Sequence, residues 1–488
     1  MLFMGIDVGS SGCKASVIDA TGAVVCFASR EYSFTYSAAG CELDAQTVFD
    51  KVCECILQLA TEQDLSALKT VSVTSFGEMF VLLDGEKRVL APSISYEDTR
   101  GTEELAALTA CLGEDRLYQI TGAIPSVMYA LPKLLWTRKH RREAYEKAKY
   151  LCMFADFILM KLGAEHHTDY SLAARTLLFD VNAKCWSREI ADAVALDLSL
   201  FGKPLPSGSR VGVLSPSMAE ALALPPDVLL LAGGHDQPCA ALGAGIIRAG
   251  GALDGMGSNE CIVPAFDRAM LHGKMKAANL VCVPHIVPGL FVTYAFNRTA
   301  GSLFKWYNAM VGGVGFARLV EEMSDEPTGL FVLPHFAGAA TPYMDEGAVG
   351  AILGLKLSTD RAELTRAVLE GLNYEMLVNL KCLDAAGFRV ERLFAAGGMS
   401  KDDRSLQLKA DMLGIPVFRL KNAEPGTLGT AILGGVAVGL YRDLAEAAEA
   451  LVQTEKVFYP NGELHEKYKE LFTKYENLYH SVKAFYEK

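Results

Sequence analysis

At 488 residues, with 51% hydrophobic and 21% charged residues, the chain is long enough for two domains with real cores and too apolar to be disordered. Its formal net charge of -12 excludes general binding to nucleic acid, which is built on clustered Lys and Arg, and leaves a small molecule as the expected ligand. The twelve cysteines are scattered singly, and Met1 to Asp7 meets an acid with no basic region before it, so reduced thiols, no secretory signal and a cytoplasmic setting are expected. No membrane contact is expected either: the longest Gly-rich apolar run, Gly426 to Leu440, falls short of the roughly 20 residues a membrane helix needs.

In chain order, Met4 to Gly12 followed by Cys13 to Ile18 reads as strand, Gly/Ser turn, strand, with Asp7 just before the turn and a strand-like return at Val24 to Phe27. A helix is expected from about Asp44 to Ala60, where Val48, Val52, Cys55, Ile56 and Leu59 keep helical spacing. Val71 to Thr74 is a short strand running into Ser75 to Phe80, which puts Glu78 at a strand end. Ile94 to Arg100 closes that unit and offers Asp98 and Arg100 to the same region. From Thr121 to Leu178 the pattern is helical, with Arg138 to Arg142 a solvated basic face. His166-His167 has no carboxylate or cysteine at ligand spacing and reads as a surface loop, as do Pro204, Pro206 and Gly208.

The stretch Leu231 to Gly245 is the centre of the chain. A buried strand, Val228 to Ala232, is broken by Gly233-Gly234, and a small-residue helix starts near Ala240. Asp236 thus sits at a strand's carboxyl end, where open α/β sheets place ligands, although helix capping explains it equally well on local grounds. Ala252 to Glu260, leading into Cys261 to Val263, repeats the amino-terminal hairpin pattern and predicts two duplicated α/β domains, residues 1–247 and 248–488, facing each other across a ligand cleft. Asn297 to Ser302 opens a helix whose free N–H groups suit an anion, and Pro334 to Pro342 is a loop. Asp360 and Glu363 cap a helix ending at Gly387. Arg392 to Ala396 is a buried strand and Gly397 to Ser400 its turn. Asp402 or Asp403 caps a helix that runs to Leu413 and stops at Gly414, Val417 to Leu420 is another strand, and Glu424 to Thr427 starts a Gly-rich helix. Leu464, Tyr468, Leu471, Tyr475, Leu478, Val482 and Phe485 mark one amphipathic tail helix.

Phosphate-loop, dinucleotide, zincin and nucleophile-elbow motifs are all missing. What is present, Gly5 to Ser11, Gly233 to Gln237, Gly257-Ser258, Ala396 to Ser400 and Gly426-Thr427, resembles the FGGY carbohydrate kinases in order over nearly the whole chain. Met128 to His140, with Lys133 and Trp136, is similar to that family's amino-terminal signature, with departures at Ala130 and Thr137.

The resemblance implies an actin-like, ribonuclease-H-type fold in two domains, with ATP and Mg2+ phosphorylating a small sugar (ketose) or polyol in the cleft. It makes Asp236 the base, Asp7 and Asp236 the acids at the magnesium ion, Gly9, Ser10, Ser11 and Lys14 the first phosphate loop, and Gly257 and Ser258 the second. Gly301, Lys305, Gly398, Met399 and Asp402 become further nucleotide contacts, and Glu78, Met79, Phe80, Asp98, Arg100, Met128 and Gln237 substrate contacts. Phe80 replaces the His of a Met-His pair usual in xylulose kinases, Tyr96 stands where many relatives have Trp, and Glu78 is in register with the polyol-binding Glu of glycerol kinases. Two acids, Glu78 and Asp98, rank an acidic substrate low unless Arg100 swings in. The competing reading is a degenerate or regulatory actin-like ATPase without sugar kinase activity. Sugar, hydroxyl and assembly stay open, a homodimer being one candidate.

Overall fold

The computed structural model describes residues 1–38, 40–422 and 424–487. Two sheets organise it, and each is opened by one of the two expected hairpins. In the first, Leu2–Val8 and Gly12–Asp19 pair antiparallel from Leu2 opposite Asp19 to Val8 opposite Cys13. The six strands run in the order Arg210–Val213, Leu229–His235, Leu68–Ser75, Leu2–Val8, Gly12–Asp19, Val24–Glu31. The three central strands are parallel, and Val8, Ser75 and His235 end in register, so everything that follows them emerges on one edge. The second sheet has eight strands. Its hairpin, Gly251–Met256 with Glu260–Phe266, lies beside parallel Arg392–Ala396, with Val417–Leu420 next.

Helix Pro425–Ala437, late in the chain, nevertheless packs on the first sheet and on helix Asp236–Gly243. Glycine makes this approach possible: a Cβ at Gly243 would run into the Pro425 carbonyl and one at Gly429 into the Cys239 carbonyl, both backbone atoms that cannot rotate away. Leu428, Ile432 and Leu433 join Phe3, Ile18 and Leu242 in a shared apolar cluster.

Local signals hold where capping chemistry is explicit. Asp44 caps Ala45–Glu62, Asp360 caps Arg361–Ala386, and Gly387 ends the latter at φ 98. Asp402 rather than Asp403 caps Asp403–Leu413, and Gly414 closes it in the left-handed region. Four expectations are corrected. Strand Leu229–His235 runs through Gly233-Gly234 instead of breaking there, and the helix after it starts at Asp236, not near Ala240. The 121–178 stretch is not continuously helical: Tyr150–Met153 pairs with Phe80–Leu83, and His167–Asp169 pairs with Lys203–Leu205, so His167 is buried in a strand and Pro204 extends another. Short apolar runs carry no period able to separate strand from helix. The tail is two helices, Gly462–Tyr475 and Leu478–Lys483, split at Glu476-Asn477, and Phe485 lies exposed beyond them. The basic patch is partly structural, since Arg138 donates to the carbonyls of Val194 and Ala195 while Arg141 pairs with Glu42 and lies over the Trp136 ring. Among the described residues no helix is long and apolar enough to cross a membrane.

Candidate active site

The shared strand edge brings together Asp7, the Gly9-Ser10-Ser11 turn, Glu78 and Asp236. Asp236 is the first residue of helix Asp236–Gly243, where an acid is favoured by the helix dipole, and its Oδ1 accepts from the Gln237 N–H at 2.6 Å. About a third of its side chain remains exposed. Burial pushes its carboxyl up to about 8, with the charges of Asp7 and Glu78 adding to the effect. Asp7 is likewise pushed up to about 6 by burial, against the pull of Lys14. Two neighbouring acids without a full complement of cations form a site short of positive charge. His235 stands beside them, with Nε2 3.2 Å from Asp236 Oδ1 and Nδ1 hydrogen-bonded at 3.0 Å to the Tyr294 hydroxyl from the second half of the chain. Burial and Arg175 hold this imidazole neutral.

Glu78 adopts φ 64, a conformation rare for a side chain of its size and therefore a marker of local constraint. Its partner is Arg175, whose Nε donates to Glu78 Oε1 at 2.6 Å and whose Nη2 reaches the same oxygen. The sequence reading missed this arginine. A lone Arg in the otherwise apolar run Leu172 to Phe179 was the available signal, because a buried arginine requires a partner. Tyr129 and Tyr294, also missed, hold its guanidinium between their rings.

Other nominated residues are already engaged. Asp98 accepts from Arg100 and from the Cys41 N–H, which draw its carboxyl down to about 2 although burial works the other way. Arg100 also binds Glu42, so it is not a free cation able to swing towards an acid. Lys133, fully buried, donates to the carbonyls of Asp98 and Val127 and ties the loop before Met128 to the Asp98 segment. Met79 is wholly buried and Phe80 nearly so, both inside the first core. Lys14 is paired with Glu424 at 2.8 Å, linking the first turn to the glycine-rich helix. The Gly9 turn is held by a Gly9 N–H bond to the Gly12 carbonyl and by the Tyr32 hydroxyl donating to the Gly9 carbonyl.

In the second half the hairpin turn meets helix Gly301–Met310 directly. The N–H groups of Gly301 and Ser302 donate to the carbonyls of Gly257 and Ser258, so the expectation that these N–H groups are free for an anion is overturned: the turn itself consumes them. A Cβ at Gly301 would lie 2.8 Å from the Gly257 carbonyl and 3.7 Å from Met399 Sδ, which places Gly257, Gly301 and Met399 in one cluster. Lys305 is exposed on the same helix, and Asp402 is spent on its cap. Beneath the hairpin, buried Lys409 bridges Asp254, at 2.8 Å, and Glu260. Cys261, on the return strand, has its thiol pushed up by burial, with the charges of Asp254 and Asp236 adding to the effect.

Family models for the N-terminal and C-terminal domains of the FGGY carbohydrate kinases match residues 2–243 and 263–438. A xylulose kinase from Bacillus subtilis is 28% identical over 98% of this chain and 97% of its own length. Among solved structures, xylulose kinase and gluconate kinase from Lactobacillus acidophilus superpose with TM-scores of 0.91 and 0.90, each 23% identical with 99% of both chains covered. The fold is therefore the two-domain, actin-like α/β fold: the duplicated hairpins predict two α/β domains, and the family resemblance implies their actin-like form.

Proposed function

Because the chain belongs to the FGGY family of carbohydrate kinases, and is a sugar kinase, we propose that it transfers the terminal phosphoryl group of ATP to a hydroxyl of a small ketose or polyol, with Asp236 as general base. The supporting observation is Asp236 itself, a carboxyl group directly after strand Leu229–His235, about a third exposed, with its proton affinity raised by burial and neighbouring acids. A base works best when its proton affinity lies near working pH, and proton removal by a positioned group contributes about a hundred to ten-thousand-fold. The rest of phosphoryl transfer is positioning and charge neutralisation.

Asp7 and Asp236 suit a magnesium ion: burial raises the proton affinity of both, the charge of Asp7 adds to the effect at Asp236, and this ion is commonly held by one or two carboxylates with phosphates and water completing its shell. Bound there, it neutralises charge on the phosphates. Asp236 takes the proton of the attacking hydroxyl, Glu78 with Arg175 orients the sugar, and the turns at Gly9 and Gly257 shape the two sides of the nucleotide cleft. The ion pairs at Glu78 and Asp98 already engage Arg175 and Arg100, so aldonates enter the same screen as the contrast to neutral sugars.

The test is ATP consumption with a panel of ketoses, polyols and aldonates, on the parent enzyme and on Asp236→Asn. Sugar-stimulated turnover that falls about a hundredfold or more in the variant, with ATP still bound, is expected. ATP hydrolysis indifferent to every sugar would instead identify a non-transferring ATPase.

A further inference from the structure

The pairing of Arg175 with Glu78 is more specific than charge balance requires. Arg175 lies in the turn Ala174–Thr176, anchored by Asp169, whose carboxylate accepts from the Ser171 and Leu172 N–H groups and the Ser207 hydroxyl. Its stem passes over Gly77, where any Cβ would stand 2.5 Å from Arg175 Cγ and 3.1 Å from His235 Cδ2. Glycine at 77 and the left-handed backbone at Glu78 together make room for the arginine and turn the carboxylate onto it. The guanidinium carbon is then 5.1 Å from the Tyr129 ring centroid and 5.4 Å from that of Tyr294, which fixes its plane. Both bonds from Arg175 go to Oε1. Among the described residues, nothing donates to Oε2.

We propose that Arg175 is the specificity-determining residue of the sugar side: it immobilises Glu78 through Oε1 and leaves Oε2 as an acceptor beside a guanidinium donor, a pair matched to two neighbouring hydroxyls of an uncharged polyhydroxy substrate held against Asp236. The inference rests on the sugar-kinase reading and narrows its substrate class. A neutral diol satisfies both members of the pair without introducing charge. A carboxylated substrate brings a second negative charge to a guanidinium whose charge Glu78 already balances, so neutral ketoses and polyols are preferred to aldonates. Arg175 thus fixes Glu78 and itself offers a donor to the second hydroxyl.

The experiment compares Arg175→Lys, Arg175→Met, Glu78→Gln and the Glu78→Gln/Arg175→Met double variant, with D-xylulose, xylitol, glycerol and D-gluconate as probes. Lysine keeps the charge but lacks the rigid fork, so Arg175→Lys should raise the KM of the preferred neutral probe about tenfold or more while the KM for ATP stays within about twofold, the loss expected for misplacing a hydrogen bond to a charged group. Because Arg175→Met strands a buried carboxylate, its folding is followed by thermal unfolding, and the double variant, which removes both charges, should bind sugar no worse than the weaker single variant. Glu78→Gln releases Arg175 and should raise the ratio of kcat/KM for D-gluconate to that for the neutral probe about tenfold. A parent enzyme that turns over no sugar, polyol or aldonate overturns the kinase reading, and this inference with it. A parent that does turn one over, with Arg175→Lys leaving that KM unchanged or Glu78→Gln leaving the gluconate ratio unchanged, overturns the inference alone.

Discussion

Asp236 owes its chemistry to crowding. Burial, Asp7 and Glu78 all resist its ionisation, and only one backbone N–H and the outlying Arg175 favour it. Since the base must be unprotonated to act, turnover at low concentrations of both substrates should rise with pH to a plateau above about pH 8, with a second proton on the pair held below about pH 6. The magnesium ion proposed for these carboxylates would favour their ionised forms, so saturating Mg-ATP should move this acid limb to lower pH. A limb below pH 5 in the dilute regime, measured by initial rates across pH, would mean that the two acids do not crowd one another.

At the scale of elements, the contact that matters most is the crossing of helices Asp236–Gly243 and Pro425–Ala437. One carries Asp236, the proposed base, and the other lies against the strand that carries Asp7, where a Cβ at Gly426 would come 3.5 Å from Asp7 Oδ2. Side-chain repacking cannot relieve a Cβ at Gly429, because the obstacle is the Cys239 carbonyl. Gly429→Ala should therefore destabilise the protein by about 2 kcal/mol or more, in the range of overpacked cores, and should lower activity by displacing the base even in the fraction that stays folded. Urea unfolding together with kcat at a temperature where the variant is folded checks both halves. Unchanged stability would show that the helices can slide apart at little cost.

Across the whole molecule, the site is assembled from two halves of the chain. The Tyr294 hydroxyl reaches His235, and the Tyr294 ring covers Arg175. Ligands that touch both halves must draw them together, which also keeps water from the phosphoryl group. Solution scattering should show a smaller radius of gyration with a non-hydrolysable ATP analogue plus sugar than with either ligand alone. An unchanged radius would mean that the cleft does not close further.

Sequence by itself determined the elements whose signals are local. Duplicated Gly/Ser hairpins, capping residues such as Asp360 and Gly387, and the position of Asp236 after an apolar strand are written in short windows, because period, cap chemistry and glycine placement act over a few residues. Tertiary structure alone decided which charges are free. Nothing local to Lys14 or Arg100 shows that Glu424 or Glu42 will claim them, and nothing local to Glu78 shows that Arg175, 97 residues later, will meet it. It also carried the glycine-rich helix back onto the first sheet, since burial of its apolar face depends on a partner surface the chain reaches only when folded. Electrostatic pairing and burial are properties of distance in space, and distance along the chain does not encode them.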